Sequence, residues 1–255
     1  MNYQLHYWPH IQGRGEFVRL ALEAAGAPYI DVARGDEAAG QGMPALHGLL
    51  QDKTQARPPF ACPVLVDDKR VIAQTAAILY YLGPRLKLVG RSEVDQAWAH
   101  QVQLTIADVV NEVHNTHHPI SAALHFEDQQ AESVRAAQAF LAHRLPRYLA
   151  WFEAALRRNP ARGGDGNAPR LVGGRLSYPD LSLFQLVEGL RYAFPLNAGK
   201  ALAKAPAVRA LHASVAQQKR VATYLASPRR IAFNNEGIFR HYPALDPAPQ
   251  SPTVE

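Results

Sequence analysis

The hydrophobic pattern of this 255-residue chain changes character near residue 90. Over residues 1–83 short apolar runs alternate with helical periodicity, and their order predicts β-α-β-α-β-β-α, a small α/β layer with a mixed sheet. A linker follows at residues 84–92, and residues 93–230 show helical periodicity without a convincing strand. We therefore predict an α/β domain followed by an all-α domain. Residues 231–255 form an extension, whose Pro-rich end DPAPQSPTVE we expect to fray.

Two features set helix boundaries in the second half. Pro146 lies inside a continuous apolar stripe over residues 139–159 and predicts either a kink or the start of a helix nearby. The segment NPARGGDGNAPR, residues 159–170, is rich in Gly and Pro and predicts a polar loop.

Composition excludes several classes of protein. A single cysteine rules out an internal disulfide and favours a reducing compartment, so we expect a cytoplasmic protein. The N-terminus lacks the apolar core of a signal peptide, and no run of about 18 apolar residues predicts a membrane span. The formal charge is +5 and the pI near 9.4, but the basic residues are scattered. We expect neither a nucleic-acid nor a membrane partner.

The segment FACPVLVDDKRVIAQTAAILYYLG, residues 60–83, places the lone cysteine next to a proline at the start of an apolar strand. Proline cannot donate to a strand ladder, so Pro63 belongs at an edge, a strand start or a bulge. A cis Cys62–Pro63 bond would present the backbone of Cys62 to a ligand, although Pro63 alone favours a trans bond. Cys62 is then either a nucleophile itself or a backbone contact for a bound molecule.

Two further features lie close to helix starts. Thr75 stands where a predicted helix begins, so its hydroxyl and the free backbone N–H groups favour a carboxylate, with a plain helix cap as the alternative. Tyr7 ends the first strand, before a loop that carries Arg14 and two glycines and leads into the first helix. A tyrosine hydroxyl in that place can donate to a developing anion, while a buried tyrosine with a solvated hydroxyl is the commoner alternative.

Together these segments resemble the motifs of a known family. The opening YWPHIQGRGEFVR, the segment ACPVLVDDKRVIAQTAAI and the helix start LSYPDLSLFQLVEGL follow one another as in cytosolic glutathione S-transferases of the tyrosine-dependent kind, the group of the alpha, mu, pi and sigma classes. In the last segment Ser177 can cap a helix while Asp180 reaches back. The resemblance covers residues 3 to about 230 and is to bacterial members of the family. It implies a thioredoxin-like N-terminal domain followed by an all-helical C-terminal domain.

The resemblance also implies roles for individual residues. Tyr7 would be catalytic, because its hydroxyl would stabilise the thiolate of the co-substrate glutathione. Gln74 and Thr75 would bind the γ-glutamyl end of glutathione. The backbone of Cys62 would pair with the cysteinyl group like an added strand, with Pro63 in the cis form. The thiolate would then attack a small electrophile, which is the reaction of a glutathione transferase in detoxification.

Further residues complete the implied site. Arg14 lies where the family has a basic residue near the thiolate, and Lys53 is a candidate partner for the glycyl carboxylate. The acceptor pocket would lie between the domains, lined by Trp8, Ile11 and Phe126. Nothing in the sequence chooses between an aryl halide, an epoxide, an enal and a peroxide as the acceptor.

A group of histidines and the subunit arrangement complete the implied picture. His114, His117 and His118 have helical spacing, but no cysteine completes a tetrahedral set, so we predict no metal. The family forms two-fold dimers, so we expect a homodimer. In several classes an acidic residue of the neighbouring subunit contacts glutathione. The nearest candidate here, Glu112, lies one turn early, which leaves that contact open.

Two other functions compete with a transferase. A thiol–disulfide oxidoreductase would place a nucleophilic cysteine at the start of the first helix, where this chain has PHIQGRG without cysteine. A non-catalytic protein of the same fold would bind glutathione or a hydrophobic ligand without turnover. The first function would depend on Cys62, and the second would keep all the glutathione-binding residues.

Overall fold

The computed structural model describes residues 3–161 and 168–248. Its first part contains four strands and three α-helices in the predicted order. The strands are β1 (Tyr3–His6), β2 (Tyr29–Asp31), β3 (Val64–Asp67) and β4 (Arg70–Ala73). The helices are α1 (Gly15–Ala25), α2 (Gly42–Gln51) and α3 (Thr75–Arg85).

The four strands form one mixed sheet in the order β2-β1-β3-β4. β1 pairs in parallel with β2 and antiparallel with β3, and β3 and β4 form an antiparallel hairpin. The parallel pair is joined through α1, since two parallel strands need a crossover connection. The predicted thioredoxin-like arrangement of this half is confirmed.

Helix α1 packs on both halves of the molecule. Its residues Phe17 and Leu20 belong to the core of the helical half, whereas Val18 and Leu22 belong to the core under the sheet. Gly26 ends the helix with a φ of 66°, a left-handed conformation that glycine adopts at little cost. Because α1 directly follows the loop after β1, packing on α1 also positions that loop.

The helical half surrounds one central helix. Its described helices are α4 (Glu93–His117), α5 (Gln130–Ala139), α6 (Leu145–Arg158), α7 (Tyr178–Ala193), α8 (Pro195–Ala203), α9 (Pro206–Ala216) and α10 (Lys219–Leu225). α7 is buried along nearly its whole length. The predicted capping box is confirmed, because the Asp180 carboxylate accepts the backbone N–H of Ser177 at 2.8 Å. None of the helices within the described ranges has both the length and the apolar content needed to cross a membrane.

Pro146 lies in the first turn of α6, so a helix begins next to it as one of the two expectations has it. A π-helical turn over Phe140–Arg144 directly precedes α6, and α5, this turn and α6 follow one another without a break. Of the loop predicted over residues 159–170, residues 162–167 lie outside the described part of the chain.

The C-terminal extension packs against the helical half. Phe239 is buried in the helical core. The Asp246 carboxylate accepts the backbone N–H of Leu196 at 2.7 Å, in the first turn of α8. The expectation of a frayed end is therefore wrong at Asp246, because this residue satisfies free N–H groups at a helix start. Residues 249–255 lie outside the described part of the chain.

Candidate active site at the end of β1

Tyr7 lies just beyond β1 and is almost fully buried, with 4% of its surface exposed. Its hydroxyl oxygen accepts a hydrogen bond from the backbone N–H of Arg14 at 2.8 Å. Burial raises the pKa of Tyr7 to about 12, so the hydroxyl keeps its proton at neutral pH. A phenol held through its oxygen in this way can still donate its own proton to an anion.

The two glycines of the following loop allow the backbone to pass close to the Tyr7 ring. A Cβ at Gly13 would collide with the Tyr7 hydroxyl, and a Cβ at Gly15 would collide with the ring. Gly13 also has a φ of 45°, in the left-handed region. Glycine at both positions therefore lets the Arg14 backbone reach the hydroxyl.

Two of the predicted segments meet at Arg14. Its backbone N–H binds Tyr7, and its backbone C=O accepts a hydrogen bond from Oγ1 of Thr75 at 3.1 Å. Thr75 begins α3, and Gln74 before it has a φ of 69°, which is uncommon for a residue with a side chain. Such backbone conformations cluster at ligand sites. The structure thus brings Tyr7, Arg14, Gln74 and Thr75 together.

The segment around Cys62 has the geometry that the resemblance implied. The Cys62–Pro63 peptide bond is cis. The strand ladder begins at Val64, so the backbone of Cys62 takes no part in the sheet. Burial raises the pKa of the Cys62 thiol to about 11, so the thiol is protonated at neutral pH. Since the thiolate is the nucleophilic form, this favours the backbone role of Cys62 over a thiol enzyme.

The two predicted basic residues occupy different environments. Arg14 lines a cavity of about 350 Å³ together with Gln74, Thr75 and residues of α4. Its guanidinium makes no hydrogen bond or ion pair with any described residue. Lys53 is exposed in the segment after α2. The structure brings Arg14 into the site, whereas the contact of Lys53 with a glycyl carboxylate stays a prediction.

The predicted acceptor residues face three different neighbours. Ile11 faces the C-terminal extension. The Trp8 ring meets His47 of α2 edge-on, with 6.3 Å between ring centroids. Phe126 is buried and stacks on Tyr242 of the extension at 4.0 Å between centroids. Of the three, Ile11 is the one that the structure places at the junction of the loop and the extension.

The C-terminal extension covers the loop after Tyr7, which no local sequence pattern predicts. The Asn234 side chain donates to the backbone C=O of His10 at 2.8 Å, and Glu236 pairs with the His10 imidazole at 3.1 Å. The Gln12 side chain donates to the backbone C=O of Ile231 at 2.5 Å. The extension therefore forms an outer wall beside the candidate site.

A buried network lies beneath the same loop. The carboxylate of Glu16, which is 0% exposed, accepts hydrogen bonds from the Tyr224 hydroxyl at 2.6 Å and from Arg230 at 2.5 Å. Arg230 also donates to Gln185 at 2.9 Å, and Gln185 donates to Gln12 at 2.7 Å. The network links the helical half and the extension to the loop that carries the candidate site.

Arg19 supports the loop from the side of α1. Its guanidinium is fully buried and pairs with Asp31 at 2.7 Å. It also donates to the backbone C=O groups of Ile11 at 3.2 Å and Trp8 at 3.4 Å. An arginine within the apolar face of α1 is the one sequence signal that points to this buried charge.

The three histidines at the end of α4 lie together. The ring centroids of His114, His117 and His118 are 4.7–5.2 Å apart. Burial lowers the pKa of His114 to about 4 and that of His117 to about 3, so both are neutral at physiological pH. Among the described residues, no group of His, Cys, Asp or Glu side chains is arranged to hold a metal ion.

Glu112, the acidic residue considered for a contact between subunits, is bound within its own chain. Arg144 pairs with its carboxylate at 2.6 Å, and the Tyr148 hydroxyl donates to it at 2.6 Å. The hydrogen bond from Arg144 lowers the pKa of Glu112. Glu112 is therefore already engaged by its own subunit.

Both halves of the chain match models of one protein family. Residues 3–83 match "Glutathione S-transferase, N-terminal domain", and residues 114–228 match "Glutathione S-transferase, C-terminal domain". The chain belongs to the glutathione S-transferase family. The candidate site of this glutathione S-transferase lies in the N-terminal matched segment. The extension that contacts it begins after the C-terminal matched segment ends at residue 228.

Curated relatives carry the same name. A glutathione S-transferase of Plasmodium falciparum (isolate 3D7) is 25% identical over 195 residues, covering 76% of this chain and 82% of the relative. A glutathione S-transferase of Plasmodium yoelii yoelii is 24% identical over 185 residues, covering 72% of this chain and 76% of the relative. The predicted transferase enzyme is confirmed at this level. The class within the family and a bacterial origin stay predictions.

Solved structures share the fold. The Pi-class glutathione S-transferase of Onchocerca volvulus has a TM-score of 0.64 and 21% identity, over 88% of this chain and 92% of that one. Prostaglandin synthase D of Nilaparvata lugens has a TM-score of 0.65 and 18% identity, over 89% and 98% of the two chains. At these identities the likeness concerns the fold alone.

Proposed function

We propose that this glutathione S-transferase uses Tyr7 to hold the thiol of glutathione as a thiolate and directs it at a small electrophile, as in the tyrosine-dependent classes. The proposal depends on two hydrogen bonds of the Arg14 backbone. Its C=O accepts from the Thr75 hydroxyl, and its N–H donates to the Tyr7 hydroxyl oxygen. This pair connects the residue expected at the γ-glutamyl end with the residue expected at the thiol.

Glutathione binding follows from the remaining groups. The start of α3, with Gln74 and Thr75, offers N–H groups and a hydroxyl to the γ-glutamyl carboxylate. The backbone of Cys62, which lies outside the sheet ladder, pairs with the cysteinyl residue of the tripeptide. The unpaired guanidinium of Arg14 adds positive charge beside the thiolate. No metal takes part in this scheme.

The energies required are of the size that these groups supply. A free thiol has a pKa of about 8.5 and is ionised only to a few per cent at pH 7. Lowering that pKa by roughly two units needs about 2.7 kcal/mol of preferential thiolate stabilisation. A hydrogen bond to a charged group contributes about 1.5–3 kcal/mol, so the Tyr7 hydroxyl supplies most of this and Arg14 the rest.

The setting of the enzyme belongs to the same proposal. We place it in the cytoplasm, in detoxification, because the lone Cys62 is consistent with a reducing compartment. We also place it in a homodimer. Phe60 supports the dimer, since its large apolar side chain is 96% exposed on the segment before β3.

The test is a direct assay of conjugation with glutathione and a panel of electrophiles that includes aryl halides, epoxides, enals and peroxides. We expect turnover of at least one class, with a rate that rises with the glutathione concentration and then reaches saturation. Tight glutathione binding without turnover of any electrophile would instead favour the non-catalytic binding protein.

A further inference from the structure

The cavity of about 350 Å³ beside Arg14 lies between the start of α3 and the middle of α4. Thr75, Ala76 and Ala77 of α3 line one side of it, and the first N–H groups of a helix have no partner within the helix. Arg14 lines the same cavity and brings a positive charge to it. This side of the cavity therefore suits a carboxylate.

The α4 side of the cavity carries a buried amide without a partner. Gln103 lines the cavity and is 1% exposed. Its side chain makes no hydrogen bond with any described residue, and its Oε1 is buried without a donor. An unpaired buried amide destabilises a protein, so such groups are normally paired. The Gln103 amide is therefore an open hydrogen-bonding position at this cavity.

The polar groups of the cavity match a ligand that carries both signs of charge. None of the described side chains that line it is a carboxylate. The other unpartnered acceptor on α4 is Nδ1 of His100, whose ring packs on Tyr80 with 5.0 Å between centroids. An α-amino acid head group places an ammonium beside a carboxylate. Such a group fits a cavity with donors on the α3 side and an amide on the α4 side.

We infer that Gln103 binds the α-ammonium group of the γ-glutamyl residue, while the start of α3 binds the α-carboxylate of the same residue. The inference rests on the proposed glutathione-dependent function and adds a specificity-determining residue to that site. An ammonium donates three hydrogen bonds and accepts none, so it pairs with the amide oxygen, which a half turn about the last side-chain bond exchanges with the nitrogen. One subunit then recognises the whole head group without an acidic residue of a neighbour.

The test compares S-methylglutathione with its desamino analogue, N-glutaryl-S-methylcysteinylglycine, which lacks the ammonium group. Neither ligand has a free thiol, so their binding depends neither on the thiolate nor on turnover. We expect calorimetry to show that the wild-type protein binds S-methylglutathione roughly ten- to a hundredfold more tightly, the size of one hydrogen bond to a charged group. In Gln103→Leu the two affinities should be about equal. Gln101→Leu, at an exposed position of α4, should keep the wild-type ratio.

A second variant and the wild type keep the outcomes separate. Gln103→Met keeps the side-chain length and should also lose the preference, and neither variant should have a lower Tm without ligand, because the amide has no partner to lose. Equal affinities in the wild type would overturn the inference. A preference that survives in both variants would also overturn it and would place the ammonium at another acceptor, such as Gln74. If the preference depends on Gln103 but no electrophile reacts, transferase activity fails and the head-group site stands.

Discussion

The side chains of Tyr7 and Cys62 are both ionisable groups of the candidate site, and their surroundings give them different roles. The Tyr7 oxygen is held by the Arg14 backbone N–H at 2.8 Å, which leaves its O–H available to an anion. Burial raises the pKa of both side chains, to about 12 for Tyr7 and about 11 for Cys62, so both stay protonated at neutral pH. A protonated phenol is a useful donor, whereas a protonated thiol is a poor nucleophile.

Replacement of Cys62 by alanine tests the second of these roles. We expect Cys62→Ala to keep most of the conjugation activity, because the proposed contact with glutathione uses the Cys62 backbone rather than its thiol. The measurement is kcat/KM with glutathione together with the Kd for glutathione. A loss of two orders of magnitude in turnover with glutathione binding intact would mean that the thiol itself takes part in the reaction.

At the scale of elements, the loop after β1 is supported by side chains that come from distant parts of the chain. Glu16 of α1 meets Arg230 of the extension although 214 positions separate them. Neither side chain reaches water freely, since Glu16 is fully buried and the Arg230 side chain is 9% exposed. Removing one member of a buried charge pair costs about 3–5 kcal/mol when it leaves the other uncompensated. Glu16 keeps a second buried cation, since Arg19 lies 3.4 Å from its carboxylate, which places the cost for this pair at the lower end of that range.

Adjacent arginines of the extension provide a matched comparison. Arg230→Met should lower the free energy of unfolding by about 3 kcal/mol, because Glu16 loses a buried partner. Arg229→Gln should lower it by less than about 1 kcal/mol, because Arg229 pairs with Glu23 while 54% exposed. Urea denaturation followed by circular dichroism measures both. Equal losses in the two variants would show that the buried network does not brace the loop.

Local elements of this fold could be predicted from the sequence, whereas its long-range contacts could not. The β3–β4 hairpin, the end of α1 at Gly26 and the capping box at Ser177 each depend on residues within a few positions of one another. The meeting of Tyr7, Arg14 and Thr75 came from a family resemblance, since no periodicity reports it. The ion pair between Glu16 and Arg230 has no local sequence signal, because the segment SPRR, residues 227–230, is typical of an exposed basic turn.

The same limit explains the wrong expectation at Asp246 near the C-terminal end. A polar, Pro-rich segment is typical of a solvated tail, yet Asp246 accepts N–H groups at the start of α8. The stacking of Phe126 on Tyr242 of the extension has no signal in the local sequence either, and the place of Phe126 in an acceptor pocket stays a prediction. In both cases the partner lies on an element far away in sequence, so the pattern around the residue carries no information about it.

At the scale of the whole molecule, the chain buries a large helical core and leaves one aromatic side chain almost fully in water. Phe60 is 96% exposed, on the segment that follows α2 and precedes the cis Cys62–Pro63 bond. A single exposed apolar residue is ordinary, but a phenylalanine this exposed beside a site segment fits burial against a second subunit.

Phe60→Ser is therefore expected to weaken the proposed homodimer by at least tenfold in Kd, in line with the loss of a buried aromatic anchor. Analytical ultracentrifugation across a dilution series measures the change, with Val94→Ser, 77% exposed on α4, as the control. A wild-type mass near the 28.1 kDa of one chain at all concentrations would contradict the dimer itself.

The measurement that tests the central claim most directly is the ionisation of bound glutathione in Tyr7→Phe, followed by thiolate absorbance near 240 nm. The substitution removes one hydroxyl and keeps the buried ring, so the fold and glutathione affinity should change little. Loss of roughly 1.5–3 kcal/mol of thiolate stabilisation should raise the pKa of the bound thiol by one to two units. Turnover at neutral pH should fall about ten- to a hundredfold and recover in part as the pH rises. An unchanged thiolate titration with unchanged turnover would show that the thiol is activated by another group of the loop after β1.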